Sequence, residues 1–217
     1  MKIEPGFRLL FIGDSVTDCG RARPVGQGSR AALGPGYVAE VNAVLASLKP
    51  SPSIRVINTG VGGDTVKNLE RRWESDVLAL KPDWLSVMVG INDVWRQFAG
   101  RESEAVMPDE YLRVYDSLVT RTLPRLKGLV LMSPYVVNES TGDPMRRRMD
   151  EYGALVKGLA AKHGAAFVDT QAAFDAALAG RDYTELAADR IHPTAAGHTV
   201  LAAAFLRAID FSPPTRP

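Results

Sequence analysis

Five short apolar runs punctuate the chain, at residues 8–12, 54–58, 84–89, 129–132 and 165–168. Each is close to continuously apolar, as expected for strands covered on both faces. The longer segments between them repeat apolar residues at helical spacing and predict helices over 37–48, 66–80, 111–123, 146–162 and 194–209. The second of these is the clearest. Val66, Leu69, Trp73, Val77 and Leu80 fall three and four apart and make one apolar stripe, in which Trp73 reads as core.

Five strands interleaved with five helices predict a three-layer α/β/α sandwich on a five-stranded parallel sheet with right-handed crossovers. The flavodoxin-like strand order 2-1-3-4-5 is expected. No linker, low-complexity stretch or internal repeat interrupts residues 1–217, so a single domain is expected. One irregular segment, around 179–192, precedes the last helix, and long loops on a compact scaffold tend to carry function.

Composition narrows the classes. A chain of 217 residues that is 46% hydrophobic can bury a full core without metal or disulfide support. Its 26 basic and 25 acidic residues leave a net charge of +1, without a footprint for nucleic acid or an anionic membrane. The local run Arg146-Arg147-Arg148 reads as one turn of a solvated helix face, flanked by Asp143, Asp150 and Glu151. A single cysteine, Cys19, excludes an internal disulfide and a cysteine-rich zinc site, and reads as a small neutral residue. The N-terminal segment lacks a signal-peptide pattern and no 18-residue apolar span occurs, so the cytoplasm is the expected location.

In an open parallel sheet, ligands bind outside the carboxyl ends of the strands. Four polar clusters fall there or just before the last helix: Gly13-Asp14-Ser15, the glycine block from Asn58 to Asp64, Gly90-Ile91-Asn92-Asp93, and Asp189-Arg190-Ile191-His192-Pro193. Together they supply what ester hydrolysis requires. Ser15 is a weak nucleophile until a base takes its proton, and His192 is the best placed of three histidines. His163 falls at a helix end before Gly164, and His198 falls inside the last helix. Pro193 suits the first helical position, which leaves His192 in the preceding loop. Asp189 can reach back to the imidazole and hold its tautomer. Backbone N–H groups of Ser15 and Gly63, with the Asn92 amide, can face a developing oxyanion.

Each cluster also has a plain reading: a turn serine, a tight turn at Gly63, a turn asparagine, or an Asx turn with a helix cap at Asp189 and His192. It is the conjunction that favours catalysis. The G-x-S-x-G elbow is absent, and Gly60-Val61-Gly62-Gly63-Asp64-Thr65 fails the dinucleotide-loop spacing because position 65 is threonine.

On these four ordered blocks the chain resembles the GDSL family of SGNH hydrolases. The resemblance covers the whole chain. It implies the SGNH hydrolase fold, Ser15 as nucleophile, His192 as general base and then acid, Asp189 as its orienter, and Gly63 and Asn92 completing the oxyanion hole. The strings FIGDSVTDCGRARP, GINDVWRQF and DPMRRRMDEYG are similar to the carbohydrate-esterase branch, close to intracellular acetylxylan esterases. That similarity implies a small acetylated sugar or oligosaccharide as substrate, no metal or organic cofactor, and a homo-oligomer. In close relatives an aromatic is expected just before the catalytic Asp, where this chain has Ala188. Asp14, Trp95, Arg96 and Arg190 are the candidate substrate-binding residues. Two further readings stand beside this one: a lipid-directed esterase, lysophospholipase or thioesterase on the same scaffold, and a non-catalytic carbohydrate- or nucleotide-binding module.

Overall fold

The computed structural model of the chain describes residues 2–48, 52–138 and 140–211. Its strands are β1 (Arg8–Gly13), β2 (Gly26–Gln27), β3 (Arg55–Asn58), β4 (Trp84–Met88), β5 (Gly128–Met132) and β6 (Ala166–Val168). They form one sheet in the order β2-β3-β1-β4-β5-β6. All pairings are parallel except β2 with β3. The five expected strands therefore stand in the expected order. The correction is a sixth, antiparallel edge strand of two residues, Gly26 and Gln27, too short to carry any hydrophobic period.

The near-continuous apolar runs have a direct cause. In β1, Leu9 and Phe11 enter one apolar layer while Leu10 and Ile12 enter the other. Successive strand side chains point to opposite faces, so burial of both faces removes the alternation. The first layer is covered by α2 (Arg30–Leu33), α3 (Tyr37–Ser47), α8 (Thr170–Leu178) and α9 (Ala195–Ala208). The second is covered by α4 (Val66–Trp73), α5 (Ile91–Trp95), α6 (Pro108–Thr122) and α7 (Pro144–His163). Phe11 is fully buried against Tyr37 and Phe205, with ring centroids 5.7 and 4.9 Å away.

The stripe of α4 packs as its spacing predicts, with Val66, Leu69, Trp73 and Val77 all buried. Trp73 is core, and its indole N–H donates to Thr122 Oγ1 at 2.8 Å. The segment does not stay α-helical to residue 80, because Glu74–Leu78 forms a π-helical turn. Helix α8 lies where no helix was expected. Its Asp169 cap accepts from the Ala172 N–H at 2.9 Å.

The reading of Arg146 as part of a solvated face is also corrected. It is 5% exposed and donates to Asp150 at 2.9 Å and to both carboxylate oxygens of Asp175 at 3.0 and 2.7 Å. Arg147 and Arg148 are the solvent-side members of that run; Arg148 pairs with Glu151 at 2.7 Å. Among the described residues, no helix is long and apolar enough to cross a membrane.

Candidate active site

Strand β1 ends at Gly13, a position that only glycine fits: a Cβ would lie 2.2 Å from the Met88 carbonyl oxygen and 2.5 Å from Thr17 Oγ1. Asp14 then caps the short helix α1 (Ser15–Asp18), its carboxylate accepting the Val16 N–H at 3.0 Å. An aspartate at an N-cap satisfies one of the otherwise unpaired first-turn N–H groups. Ser15 is thereby set at the sheet's carboxyl edge on the first helical residue. Among the described residues its backbone N–H has no protein acceptor.

His192 reaches Ser15 across 177 residues of chain. Its Nε2 lies 2.9 Å from Ser15 Oγ, and its Nδ1 lies 2.6 Å from Asp189 Oδ2. A carboxylate at Nδ1 holds the proton there, which leaves Nε2 as the acceptor of the serine hydroxyl. The loop that carries both residues is closed at its base by a bridge between Ala187 and Pro193. Thr194 adds to that closure by donating to Glu185 O at 2.6 Å. Pro193 is not the first helical residue, since Thr194 is the N-cap and α9 begins at Ala195. His192 is nonetheless in the loop, as expected.

Asp189 also accepts the N–H groups of Ile191 and His192, at 3.0 and 2.7 Å. Partial burial pushes its pKa up, but these bonds and the imidazole outweigh it and hold the carboxyl below its ordinary value. The Asx-turn reading and the orienter geometry are therefore both realised by this residue.

Opposite the serine, β3 leads into the glycine block. Gly63 has a left-handed φ of +82°, a conformation glycine adopts without steric cost, and its N–H has no protein acceptor among the described residues. Asn92, in the first turn of α5, donates one amide hydrogen to the Asp64 carbonyl at 3.0 Å. A primary amide has a second hydrogen free to donate. Three candidate donors thus line the loops around Ser15.

The candidate substrate-binding residues divide. Asp14 is corrected: it is 2% exposed, is engaged in capping, and burial raises its pKa to about 7, against the pull of the Val16 N–H and His192. Trp95 is half-buried against the second apolar layer, with Arg101 over its ring at 6.0 Å. Arg96 is turned to backbone, donating to Gly63 O at 2.6 Å and Glu104 O at 3.3 Å. Arg190 adopts a φ of 67° and lays its guanidinium over the Tyr183 ring at 4.6 Å, beside the loop of Asp189 and His192.

Among the described residues, Cys19 and the other two histidines lie outside the Ser15–His192–Asp189 hydrogen bonds. Burial, aided by Asp18, raises the Cys19 pKa, which agrees with a neutral thiol. His163 ends α7 before Gly164 and meets Asp116 at 2.7 Å. His198 is buried, and its Nδ1 accepts the Tyr37 N–H at 3.2 Å.

Two arginines that periodicity does not register, half-buried Arg72 and buried Arg21, also shape the site. Arg72 on α4 donates to Asp64 Oδ2 at 2.6 Å, Thr59 O at 2.5 Å and Gly13 O at 3.1 Å. It ties the ends of β1 and β3 to the glycine block. Arg21 donates to Gly60 O at 2.7 Å from a 5% exposed position. The one legible trace of this network was the four-residue spacing of Arg72 and Asp76, which pair at 2.8 Å.

Such a serine, an imidazole fixed by a carboxylate, and several N–H donors without acceptors can perform acyl transfer. The comparisons agree. An acetylxylan esterase from Geobacillus stearothermophilus is 53% identical over 213 residues, 97% of each chain. The crystal structure of Axe2, an acetylxylan esterase from the same organism, superposes with a TM-score of 0.96 at 52% identity, covering 100% of both chains. Catalytic mutants of Axe2 replace a serine, an aspartate or a histidine by alanine. LAE5, an α/β hydrolase enzyme from the metagenome of Lake Arreo in Spain, gives a TM-score of 0.94 at 46% identity, over 97% of this chain and 98% of its own. The model of the GDSL-like lipase/acylhydrolase family matches residues 11–200, and the chain belongs to that family.

Proposed function

We propose that residues 1–217 act as one domain, a serine esterase that removes acetyl groups from acetylated carbohydrate, with xylo-oligosaccharides as the substrate class. The observation that carries the chemistry is the unbroken relay from Ser15 Oγ through His192 to Asp189, at 2.9 and 2.6 Å. The substrate class is supported by the 53% identity to an acetylxylan esterase.

In the first half-reaction Ser15 Oγ attacks the acetyl carbonyl as its proton passes to His192 Nε2. Asp189 stabilises the imidazolium through Nδ1–H. The tetrahedral oxyanion is held by the N–H groups of Ser15 and Gly63 and by the free amide hydrogen of Asn92. As that intermediate collapses, the ester C–O bond breaks and His192 gives its proton to the departing sugar hydroxyl, leaving acetyl-Ser15. His192 then deprotonates a water that attacks the acetyl carbon. Acetate leaves and Ser15 recovers its proton. The residues supply every proton transfer, so the scheme calls for no metal or organic cofactor. Arg190, next to Asp189 and two residues from His192, is the candidate contact for the sugar.

Acetate release from acetylated xylo-oligosaccharides, measured beside other acetylated sugars and acyl lipids, tests this reading. Preference for acetate over longer acyl chains by about 10-fold or more is expected, because a cramped acyl site loses affinity with each poorly accommodated group. Preference for octanoyl esters would favour the lipid-directed reading instead. A cytoplasmic homo-oligomer belongs to the same proposal. Sedimentation of the purified chain as a multiple of 23.5 kDa tests the oligomer.

A further inference from the structure

Helix α5 brings two groups to the glycine block. Asn92 stands at its start and Arg96 follows four residues later, on the same side of the helix. The block they face, Gly60-Val61-Gly62-Gly63, has little side-chain substance with which to hold its own shape. Glycine reaches a left-handed φ freely, and it leaves that conformation as freely. A donor that must be aimed before the reaction needs a brace from outside the loop.

The N–H of Gly63 belongs to the peptide joining it to Gly62, and that peptide is bracketed. On one side, the Gly62 N–H donates to Asp18 Oδ2 at 3.0 Å. Asp18 is itself held by Arg23, through bonds of 2.9 and 2.5 Å. On the other side, Arg96 Nη2 donates to the Gly63 carbonyl at 2.6 Å. One residue on, the Asp64 carbonyl accepts from Asn92. Arg96 is steadied in turn by its second bond, to Glu104 O. Among the described residues its Nε has no protein partner.

We propose that Arg96 is a positioning residue for acyl transfer: by fixing the Gly63 carbonyl it keeps the Gly63 N–H aimed at the oxyanion before substrate arrives. Without that bond the Gly63 carbonyl loses the side-chain donor that fixes it, while the bonds at Gly62 and Asp64 remain, and the Gly63 N–H is aimed less firmly in the transition state. Arg96 touches backbone and need not touch the substrate. The inference rests on the reading of Gly63 as an oxyanion donor. Its effect belongs in kcat, since the N–H bonds strengthen as the carbonyl oxygen becomes anionic.

The test compares Arg96→Met and Arg96→Lys with the wild type on 4-nitrophenyl acetate. Alongside, it measures affinity for a trifluoromethyl ketone, which adds to the serine and carries an oxyanion. Arg96→Met is expected to lower kcat about 10- to 100-fold with KM within about twofold, a loss in keeping with a misaimed donor. Ketone affinity should fall by the same factor. Arg96→Lys keeps the charge and one donor, so it should recover part of both losses; it also preserves the comparison should the Met variant not fold. Unchanged kcat and ketone affinity, or a loss confined to KM or melting temperature, would overturn the proposal. Asn92→Ala separates the two claims. If it weakens the ketone and Arg96→Met does not, the positioning role fails alone. If neither variant weakens it, the oxyanion reading has failed.

Discussion

His198 offers a test in which the fold's demand on one proton can be weighed. Helix α3 begins after Gly36, which has no side chain to cap it, and the first helical N–H, that of Tyr37, is taken by His198 Nδ1 at 3.2 Å. The other ring nitrogen, Nε2, faces Cys19 Sγ at 3.5 Å. A ring nitrogen can accept only while it is unprotonated, and a positive imidazolium at a helix N-terminus opposes the helix dipole. Burial lowers the His198 pKa from an ordinary 6.5 to about 4. Between those two pH values the unfolded chain binds a proton that the folded chain refuses, so stability is lost as pH falls. At 1.36 kcal/mol per unit, the loss from pH 7 to pH 4 is roughly 3 kcal/mol. His198→Asn removes the titration and keeps an oxygen able to accept the Tyr37 N–H. Buried Asp14 and Asp93, raised by burial to about 7 and about 8, act in the opposite sense, losing stability as pH rises. They are present in both proteins and cancel in the difference. Urea unfolding from pH 4 to pH 8 should therefore show the wild type losing roughly 3 kcal/mol relative to the variant on acidification. Curves that stay parallel within about 0.5 kcal/mol would refute the reasoning, since that is the scatter of independent effects.

Two further perturbations follow from the same geometry. Arg72→Met leaves the Asp64 carboxylate and the Thr59 carbonyl without the donor they share and removes one of two donors from the Gly13 carbonyl, at a position 16% exposed, and should cost about 3–5 kcal/mol in urea unfolding; an unchanged midpoint would contradict the clamp. Asp189→Asn should lower kcat on an activated acetate ester by ~10,000-fold while leaving the circular dichroism spectrum intact, because the amide presents the wrong partner to His192 Nδ1. Because the Asp189 carboxyl is held below its ordinary value, its protonation should not limit wild-type activity at mildly acidic pH, which a pH–rate profile checks.

What could be read from the chain was what rests on short-range pattern. Leu9 to Ile12 announced a strand buried on both faces, and the stripe from Val66 to Val77 announced an amphipathic helix, because both are properties of neighbouring residues. Ser15, Asp189 and His192, which the structure brings together, were legible as candidates because each falls at a boundary between elements, where periodicity stops. Asp14 misled for the same reason: a carboxylate beside a nucleophile resembles a substrate contact, while the structure turns it inward to cap α1. Arg146 misled through its charged neighbours, since its partner Asp175 lies 29 residues away. The braces at Arg21, Arg72 and Arg96 end on carbonyl oxygens at strand ends and in the glycine block, and backbone acceptors carry no sequence signature. The two-residue β2 and the π turn at Glu74–Leu78 are set by neighbouring structure, below the length at which a period exists.

The central claim is that Ser15 is the atom acylated and deacylated in each turnover. A fluorophosphonate probe reads this directly, since it phosphonylates a serine only when a base has activated it. Intact-mass and peptide mapping should find one adduct per chain, on Ser15, with esterase activity lost in proportion to labelling, and Ser15→Ala should take no label. Labelling elsewhere with Ser15 unmodified, or a Ser15→Ala variant that keeps a tenth of wild-type turnover, would contradict the account.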